Sequence, residues 1–426
     1  MSRLLLATAG SLGDLYPYIA IARALQARGH EAVIATAEEH RGAVEQAGVE
    51  IAPIRPSMSE FGDYRTLVTT LFNARRGPEY LIREMVMPHL RSTYEDLLRA
   101  ADSADLLVSH PLTVTLPLLA ERRKLPWVAT VLAPLSFTSA CDPPSLAGAL
   151  WLRRLRDLGP TPYRLVFNLL KRAVRHWEAP LRRFRRELGL PPSEHAAMFE
   201  GQFSPLRNLA LFDSLLARPQ PDWPPAVRIC GAPTYDGAAP DAATRAELER
   251  FLSAGEPPLV FALGSSAVWI AGDFWGKAAA AARHLGRRAI LVTGPATPEN
   301  LPAALPEGVQ AFPYVPYSTL FSRGAAVVHQ AGIGTLAQAL RAGRPQVILP
   351  VAFDQPDNAR RAAALGVGRV LPFEKVTARR LASEVAALLD QASYAQAARV
   401  IADTLAQTDG AARAADELIA CIDRTH

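Results

Sequence analysis

The stretch that most limits what this 426-residue chain can fold into lies near its C-terminal end, Val327-Val328-His329-Gln330-Ala331-Gly332-Ile333-Gly334-Thr335. A β-branched strand runs into a His, two glycines and a Thr, then into the helical pattern Leu336 to Ala342, closed by Gly343. Strand, glycine-rich turn and helix N-terminus gather unpaired backbone N–H groups and the positive end of the helix dipole at one spot. Glycine lets the main chain come close to an anion, and Thr335 is placed to cap the helix and donate its hydroxyl. His329 adds a donor at the mouth. A second apolar strand, Pro345 to Pro350, and the loop Phe353-Asp354-Gln355-Pro356-Asp357-Asn358 follow. A loop leaving the carboxyl end of a parallel strand beside such a turn is where open α/β sheets bind ligands. The expected occupant is a diphosphate at the turn, with a sugar read by Asp354 and Gln355.

The length predicts two or three domains. A net charge of +5 suits an anionic ligand, but no zinc-ligand spacing or RNA-binding aromatic signature points to nucleic acid. The three cysteines, Cys141, Cys230 and Cys421, are distant and odd in number, which argues against a disulfide framework and for a reducing compartment. Met1 to Ala9 is too briefly apolar for a secretion signal and reads as a first strand. No apolar run reaches the roughly 20 residues of a membrane span. The expected location is cytoplasmic, or peripheral at the inner membrane.

Arg3 to Ala9 reads as a strand, Gly10-Ser11-Leu12-Gly13-Asp14 as a turn, and Pro17 to Ala27 as a helix. Strand Glu31 to Thr36, helix Arg41 to Ala47 and strand Val49 to Ile54 follow. This β-α-β-α-β order predicts a doubly wound parallel sheet. A stretch dense in Pro and Gly between Ala217 and Pro240 marks a linker. A second series then runs through strand Pro258 to Ala262, the turn Gly264-Ser265-Ser266, a helix to Leu285, and strands Ala289 to Thr293 and Val309 to Phe312. The expected architecture is α/β: two Rossmann-like, doubly wound parallel-sheet domains facing each other across a cleft. Their expected bounds are 1–220 and 241–405, with a linker at 221–240 and a last helix, 406–426, crossing back to the first domain.

Other residues carry two readings each. Ser265 and Ser266 can add donors to a diphosphate, as can Ser11 in the first turn, although Ser-Gly turns are common. In Phe312-Pro313-Tyr314-Val315-Pro316-Tyr317, Tyr314 and the backbone at Val315 can stack on and pair with a nucleobase, or simply pack. Asp14, facing a cleft, can serve as a general base, or cap the following helix. His110 ends another strand of the same sheet and is either Asp14's neighbour in catalysis or a structural histidine. Residues 151–190 interleave arginines with Leu155, Leu165, Phe167, Leu170, Trp177 and Phe184. That pattern fits a solvated amphipathic face or an interfacial segment meeting anionic lipid.

Taken together, His329-x-x-Gly332-x-Gly334-Thr335 with Pro345, Pro350, Asp354 and Gln355 resembles the donor signature of the nucleotide-sugar glycosyltransferases of the two-domain GT-B fold. The resemblance spans nearly the whole chain. Gly10-Ser11-x-Gly13-Asp14-x-x-Pro17 and Gly29-His30 resemble the bacterial branch that contains sterol and antibiotic glycosyltransferases. Asp222-Trp223-Pro224, Gly231, Asp236-Gly237, Val260-Phe261, Gly264-Ser265 and Gly272-Asp273-Phe274 resemble the catalytic rhamnosyltransferase subunit of rhamnolipid synthesis. The resemblance implies that His329, Gly332, Gly334, Thr335 and Ser265 hold the diphosphate, Tyr314 and Val315 the base, and Asp354 and Gln355 the sugar. Many relatives carry a catalytic His where Asp14 stands, oriented by an Asp where His110 stands, so the pair is reversed here. Plant relatives read the ribose with a Glu at the position of Ala337, beside Gln338. Its lack slightly favours a deoxyribose donor such as dTDP-rhamnose over UDP-glucose.

The expectation is an inverting transfer that requires no metal, with Asp14 as base and a nucleotide-sugar as co-substrate. Phe61, Tyr64, Phe72, Tyr80, Met85, Leu135 and Phe137 would line an apolar acceptor pocket, favouring a lipid, sterol or aromatic alcohol. A nucleotide-sugar 2-epimerase needs no such pocket and would epimerise UDP-N-acetylglucosamine alone. A non-catalytic partner retaining the fold would neither transfer nor hydrolyse a donor.

Overall fold

The computed structural model describes residues 1–294 and 301–424, and the chain divides into two compact units. The first runs from Met1 to Tyr235 and takes in the C-terminal segment from Asp409; the second is Asp236–Thr408. Strands of the first unit are β1 (Arg3–Ala7), β2 (Glu31–Thr36), β3 (Glu50–Pro53), β4 (Leu106–Ser109), β5 (Trp127–Val131), β6 (Asn208–Ala210) and β7 (Val227–Ile229). They form one parallel sheet in the order β3-β2-β1-β4-β5-β6-β7. Those of the second are β8 (Leu259–Ala262), β9 (Ala289–Val292), β10 (Val309–Phe312), β11 (Ala326–His329), β12 (Gln346–Ile348) and β13 (Gly368–Val370). Their order, β10-β9-β8-β11-β12-β13, is again parallel throughout. Central strands such as Leu4–Leu6, Leu106–Val108 and Val327–Val328 are buried without alternation, as a sheet covered on both faces requires.

In each sheet the strand order reverses once, between β1 and β4 and between β8 and β11. Register brings the carboxyl ends together there: Ala7 pairs with Ser109, and Val328 with Phe261. The segments leaving these ends are Gly10–Asp14 and His110 in one unit, and Gly264–Ser266 and His329–Thr335 in the other. Such reversal points are where doubly wound sheets hold ligands.

Five helices matter to the chemistry: α1 (Leu12–Gln26), α2 (Pro160–Val174), α3 (Ile333–Arg341), α4 (Gln355–Ala364) and α5 (Gly410–Ile422). Two begin earlier than their patterns predicted. Ser11 caps α1, so the helix starts five residues before Pro17, and α3 starts at Ile333 because Gly332 occupies its N-cap. The stretch expected as a bare linker contains β7. There Asp222 accepts hydrogen bonds from Ser139 Oγ at 2.6 Å and Ala140 N–H at 2.7 Å, and Trp223 stacks on Phe137 at 4.1 Å. In the Arg-rich segment, Tyr163 and Phe167 of α2 turn inward onto Leu152 and Ala140, while Leu165 and Leu169 remain more than 60% exposed. The Arg153 and Arg156 side chains lie outside the described residues.

Helix α5 packs on α1. Arg28 Nε donates to Asp416 Oδ1 at 2.8 Å, and Leu418 is fully buried. A Cβ at Gly410 would stand 2.5 Å from the carbonyl carbon of Ala232. Leu418→Ala is therefore expected to destabilise the first unit by about 2–5 kcal/mol, the range for emptying a leucine site in a core. The denaturant midpoint, followed through a probe in that unit, measures it.

Candidate functional site

At the β1–β4 end, the backbone N–H and the hydroxyl of Ser11 both donate to Asp14 Oδ2, at 2.7 and 3.0 Å. The hydroxyl also accepts from Gly13 N–H at 3.2 Å. This is a capping box, with a carboxylate in the third helical position reaching back to the N-cap. It corrects the expectation for Ser11, whose donors are committed to Asp14 and not to a phosphate. The backbone of Gly10 lies at φ +127°, and a Cβ there would collide with the Asp14 carboxylate. The carboxylate therefore folds back over a residue that has to be glycine.

Asp14 Oδ1 lies 3.6 Å from His110 Nε2, an electrostatic pairing slightly longer than a hydrogen bond. His110 Nδ1 accepts from Leu112 N–H at 3.2 Å, so the neutral ring carries its proton on Nε2, facing Asp14. The imidazole is 4% exposed and the carboxylate 34%; of the two, Asp14 is the group a substrate can touch. Burial favours the protonated acid, but the His110 contact and the two Ser11 donors outweigh it and hold the Asp14 carboxyl below the ordinary range.

At the β8–β11 end, the turn is built on Ala331, a non-glycine residue at φ +66°. Its N–H donates to His329 Nδ1 at 3.1 Å, and its carbonyl accepts from Asn358 Nδ2 at 2.9 Å. His329 Nε2–H in turn faces Gln346 Oε1 at 3.0 Å. The ring is fully buried, and burial pushes its pKa down to about 4 against the opposing Gln346 hydrogen bond. The expectation of an imidazole donor at the mouth is corrected: both ring nitrogens have partners inside the protein, and the neutral ring shapes the turn.

Gly332 caps α3 without a side chain, leaving the first backbone N–H groups of a nine-residue helix without a side-chain cap, the kind of terminus that favours an anion. Thr335 corrects a second expectation. It lies within the first turn of α3 and does not cap the helix, and its Oγ accepts a long 3.3 Å bond from Gln330 Nε2. Gly264, at φ +68°, would with a Cβ collide with that same Gln330 amide. The Gly264–Ala267 turn, with half-buried Ser265 and Ser266, therefore lies against the start of α3.

Asp354 occupies the N-cap position of α4, and its Oδ2 accepts from Asn358 Nδ2 at 2.7 Å. Gln355 is 5% exposed, and its Oε1 accepts from Val351 and Ala352 N–H at 2.9 and 3.3 Å. Its oxygen closes its own loop, so only the amide nitrogen remains for a sugar. Tyr314 is exposed, whereas the Val315 side chain is buried against core residues including Phe312 and Leu320, leaving its backbone alone for a base. Of the acceptor set, Phe61, Tyr64, Phe72, Tyr80 and Leu135 are half-buried. Met85 and Phe137 are buried, and Phe137 is a correction: Trp223 and Phe203 cover its ring.

Reading the sequence alone missed Gln330, Gln346 and Asn358, all at least nine-tenths buried. The signal was present in Asn358, four residues beyond Asp354 on a helix, where side chains meet. One prediction concerns Asp14. Its folded pKa lies below its unfolded value, so it stabilises the fold at neutral pH, and that contribution vanishes as pH falls through the unfolded and then the folded pKa. Ser11→Ala removes one donor and is expected to raise the Asp14 pKa, as read by carboxyl-carbon NMR titration.

Both units match known families. Residues 4–89 match the glycosyltransferase family 28 N-terminal domain, and residues 284–420 the C-terminal domain of the erythromycin biosynthesis protein CIII-like family. The chain is 34% identical to the O-mycaminosyltylonolide 6-deoxyallosyltransferase of Streptomyces fradiae, over 96% of this chain and 94% of that protein. It is 30% identical to the vancomycin aglycone glucosyltransferase of Amycolatopsis orientalis, over 99% and 98%. In fold it superposes on the solved structure of the glycosyltransferase VinC in complex with dTDP, with a TM-score of 0.69, 22% identity and coverage of 99% and 100%. Alignment over the full length, with a doubly wound sheet in each unit, places this chain in the nucleotide-sugar glycosyltransferases of the GT-B fold, and it is a glycosyltransferase.

Proposed function

We propose that the enzyme moves a hexose, rhamnose or glucose, from a dTDP- or UDP-sugar to a hydroxyl of a lipophilic natural product, with inversion and without a metal. The observation that carries the mechanism is the Asp14 carboxylate, partly exposed and fixed by Ser11 and His110 at the β1–β4 end. In this reading the acceptor O–H gives its proton to Asp14 as its oxygen attacks the anomeric carbon. The bond from that carbon to the diphosphate oxygen breaks, and the nucleoside diphosphate leaves with the electron pair. Negative charge growing on the leaving group meets the N–H groups at the start of α3, a preorganised electrostatic stabilisation of the kind a divalent cation otherwise provides.

His110 keeps the carboxylate oriented and ionised, and is too buried to take the acceptor proton itself. A carboxylate held this acidic is a weak base at rest. Proton transfer then becomes favourable only as C–O bond formation acidifies the acceptor hydroxyl. The lipophilic acceptor rests on the half-buried Phe61, Tyr64, Phe72, Tyr80 and Leu135, and on the likeness to an O-mycaminosyltylonolide 6-deoxyallosyltransferase and a vancomycin aglycone glucosyltransferase. The deoxyribose donor rests on Ala337, which offers no carboxylate to a ribose hydroxyl. Leu165 and Leu169, exposed among the arginines of the α2 region, fit peripheral contact with anionic lipid. Sedimentation with phosphatidylglycerol vesicles, but not phosphatidylcholine ones, is the expected result.

Asp14→Asn is expected to abolish transfer while donor binding persists; turnover retained at the parent rate would refute the base assignment. In thermal-shift titrations a donor at a hundred times its Kd stabilises by about 2.7 kcal/mol. dTDP-sugars are expected to reach that shift at lower concentration than UDP-sugars.

A further inference from the structure

We infer that Asn358 is a positioning residue that couples the diphosphate turn to the sugar-reading carboxylate, so that the nucleotide and sugar halves of the donor are recognised as one unit. The inference rests on the donor-site reading above and goes beyond it. Asn358 is fully buried in the first turn of α4. One amide nitrogen serves two acceptors: the carbonyl of Ala331 at 2.9 Å and Asp354 Oδ2 at 2.7 Å. Two acceptors on the same atom require it to be the NH₂ nitrogen, because an amide oxygen there would face a carbonyl and a carboxylate. Both its hydrogens are thereby assigned.

What lies at each end gives the arrangement its meaning. Ala331 sits in the left-handed region, which a residue with a Cβ enters only when its surroundings over-determine it. Two side chains do this, His329 on its N–H and Asn358 on its carbonyl. The conformation of Ala331 aims the chain into Gly332, the N-cap of α3, and so decides where the anion-facing N–H groups point. At the other end, a charge-assisted hydrogen bond holds Asp354 at the N-cap position of α4. Loss of the Asn358 amide frees both ends, whereas loss of the Asp354 carboxylate frees one.

The test is calorimetric titration of dTDP and dTDP-glucose into the full-length parent, Asp354→Ala, Asn358→Ala and the double variant, with amide exchange of the peptide spanning 330–335. Asp354→Ala is expected to leave dTDP affinity intact and to bring the ratio of the two dissociation constants towards one. Asn358→Ala is expected to weaken dTDP by about tenfold, the scale of one buried hydrogen bond, and to collapse the ratio as well. The double variant shows no further loss of ratio, and exchange in 330–335 accelerates in Asn358→Ala but not in Asp354→Ala. A merely structural role would lower the melting temperature and leave the ratio at the parent value, and that result overturns the coupling. Unchanged exchange in 330–335 overturns it too. A parent protein that binds neither nucleotide sinks the donor-site reading and the coupling with it; one that binds both, with its ratio untouched by Asn358→Ala, sinks the coupling alone.

Discussion

Two neighbouring parallel strands whose crossovers leave on opposite faces of a sheet cannot cover the space above their own carboxyl ends. This constraint operates twice in the chain, at β1–β4 and at β8–β11, and Asp14, His110, the Gly264 turn and the start of α3 emerge at those ends, while Asp354 and Tyr314 follow the further strands β12 and β10. It explains why residues as distant as Asp14 and His110 meet, and why the Gly264 turn shares its surroundings with Thr335. Strand order brings them together; sequence proximity does not.

At both ends the polar groups are held by short-range contacts that leave little freedom. Asp14 is oriented by the residue that caps its own helix, so the carboxylate forms part of the helix start as well as of the site. Its low pKa follows from the same contacts, because donors that fix a carboxylate also stabilise its charge. Ala331 illustrates the cost of such order. A left-handed non-glycine residue costs about 1–3 kcal/mol, and the imidazole of His329 and amide of Asn358 offset it by satisfying both its backbone groups.

Much of this was legible in the sequence. The apolar runs of the central strands, the glycines after β1 and β11, and the helices behind them carry strong periodic signals, and the doubly wound fold follows from their alternation. Asp14 and Asp354 could be singled out because each stands at a strand end next to a glycine turn or a helix start. The misreadings mostly share one cause. His329 and Ser11 have the right chemistry for a phosphate, but a linear sequence does not show that the protein engages their donors itself, and Thr335 was misplaced only as a helix cap. Phe137 failed likewise, since a ring that can line a pocket can equally stack on Trp223, eighty-six positions on. Helix starts were misplaced wherever the cap was a Ser or Gly lying several residues ahead of the first obvious helix formers.

The path of the chain has a practical corollary. The second unit is an insertion: the backbone leaves the first unit at Tyr235 and returns at Asp409. A second unit borrowed from a relative must therefore be spliced at two joints, because a C-terminal exchange made at the first joint alone would remove α5 and uncover the face of α1 it packs against. Chimeras that exchange the second unit should retain the host's own last helix.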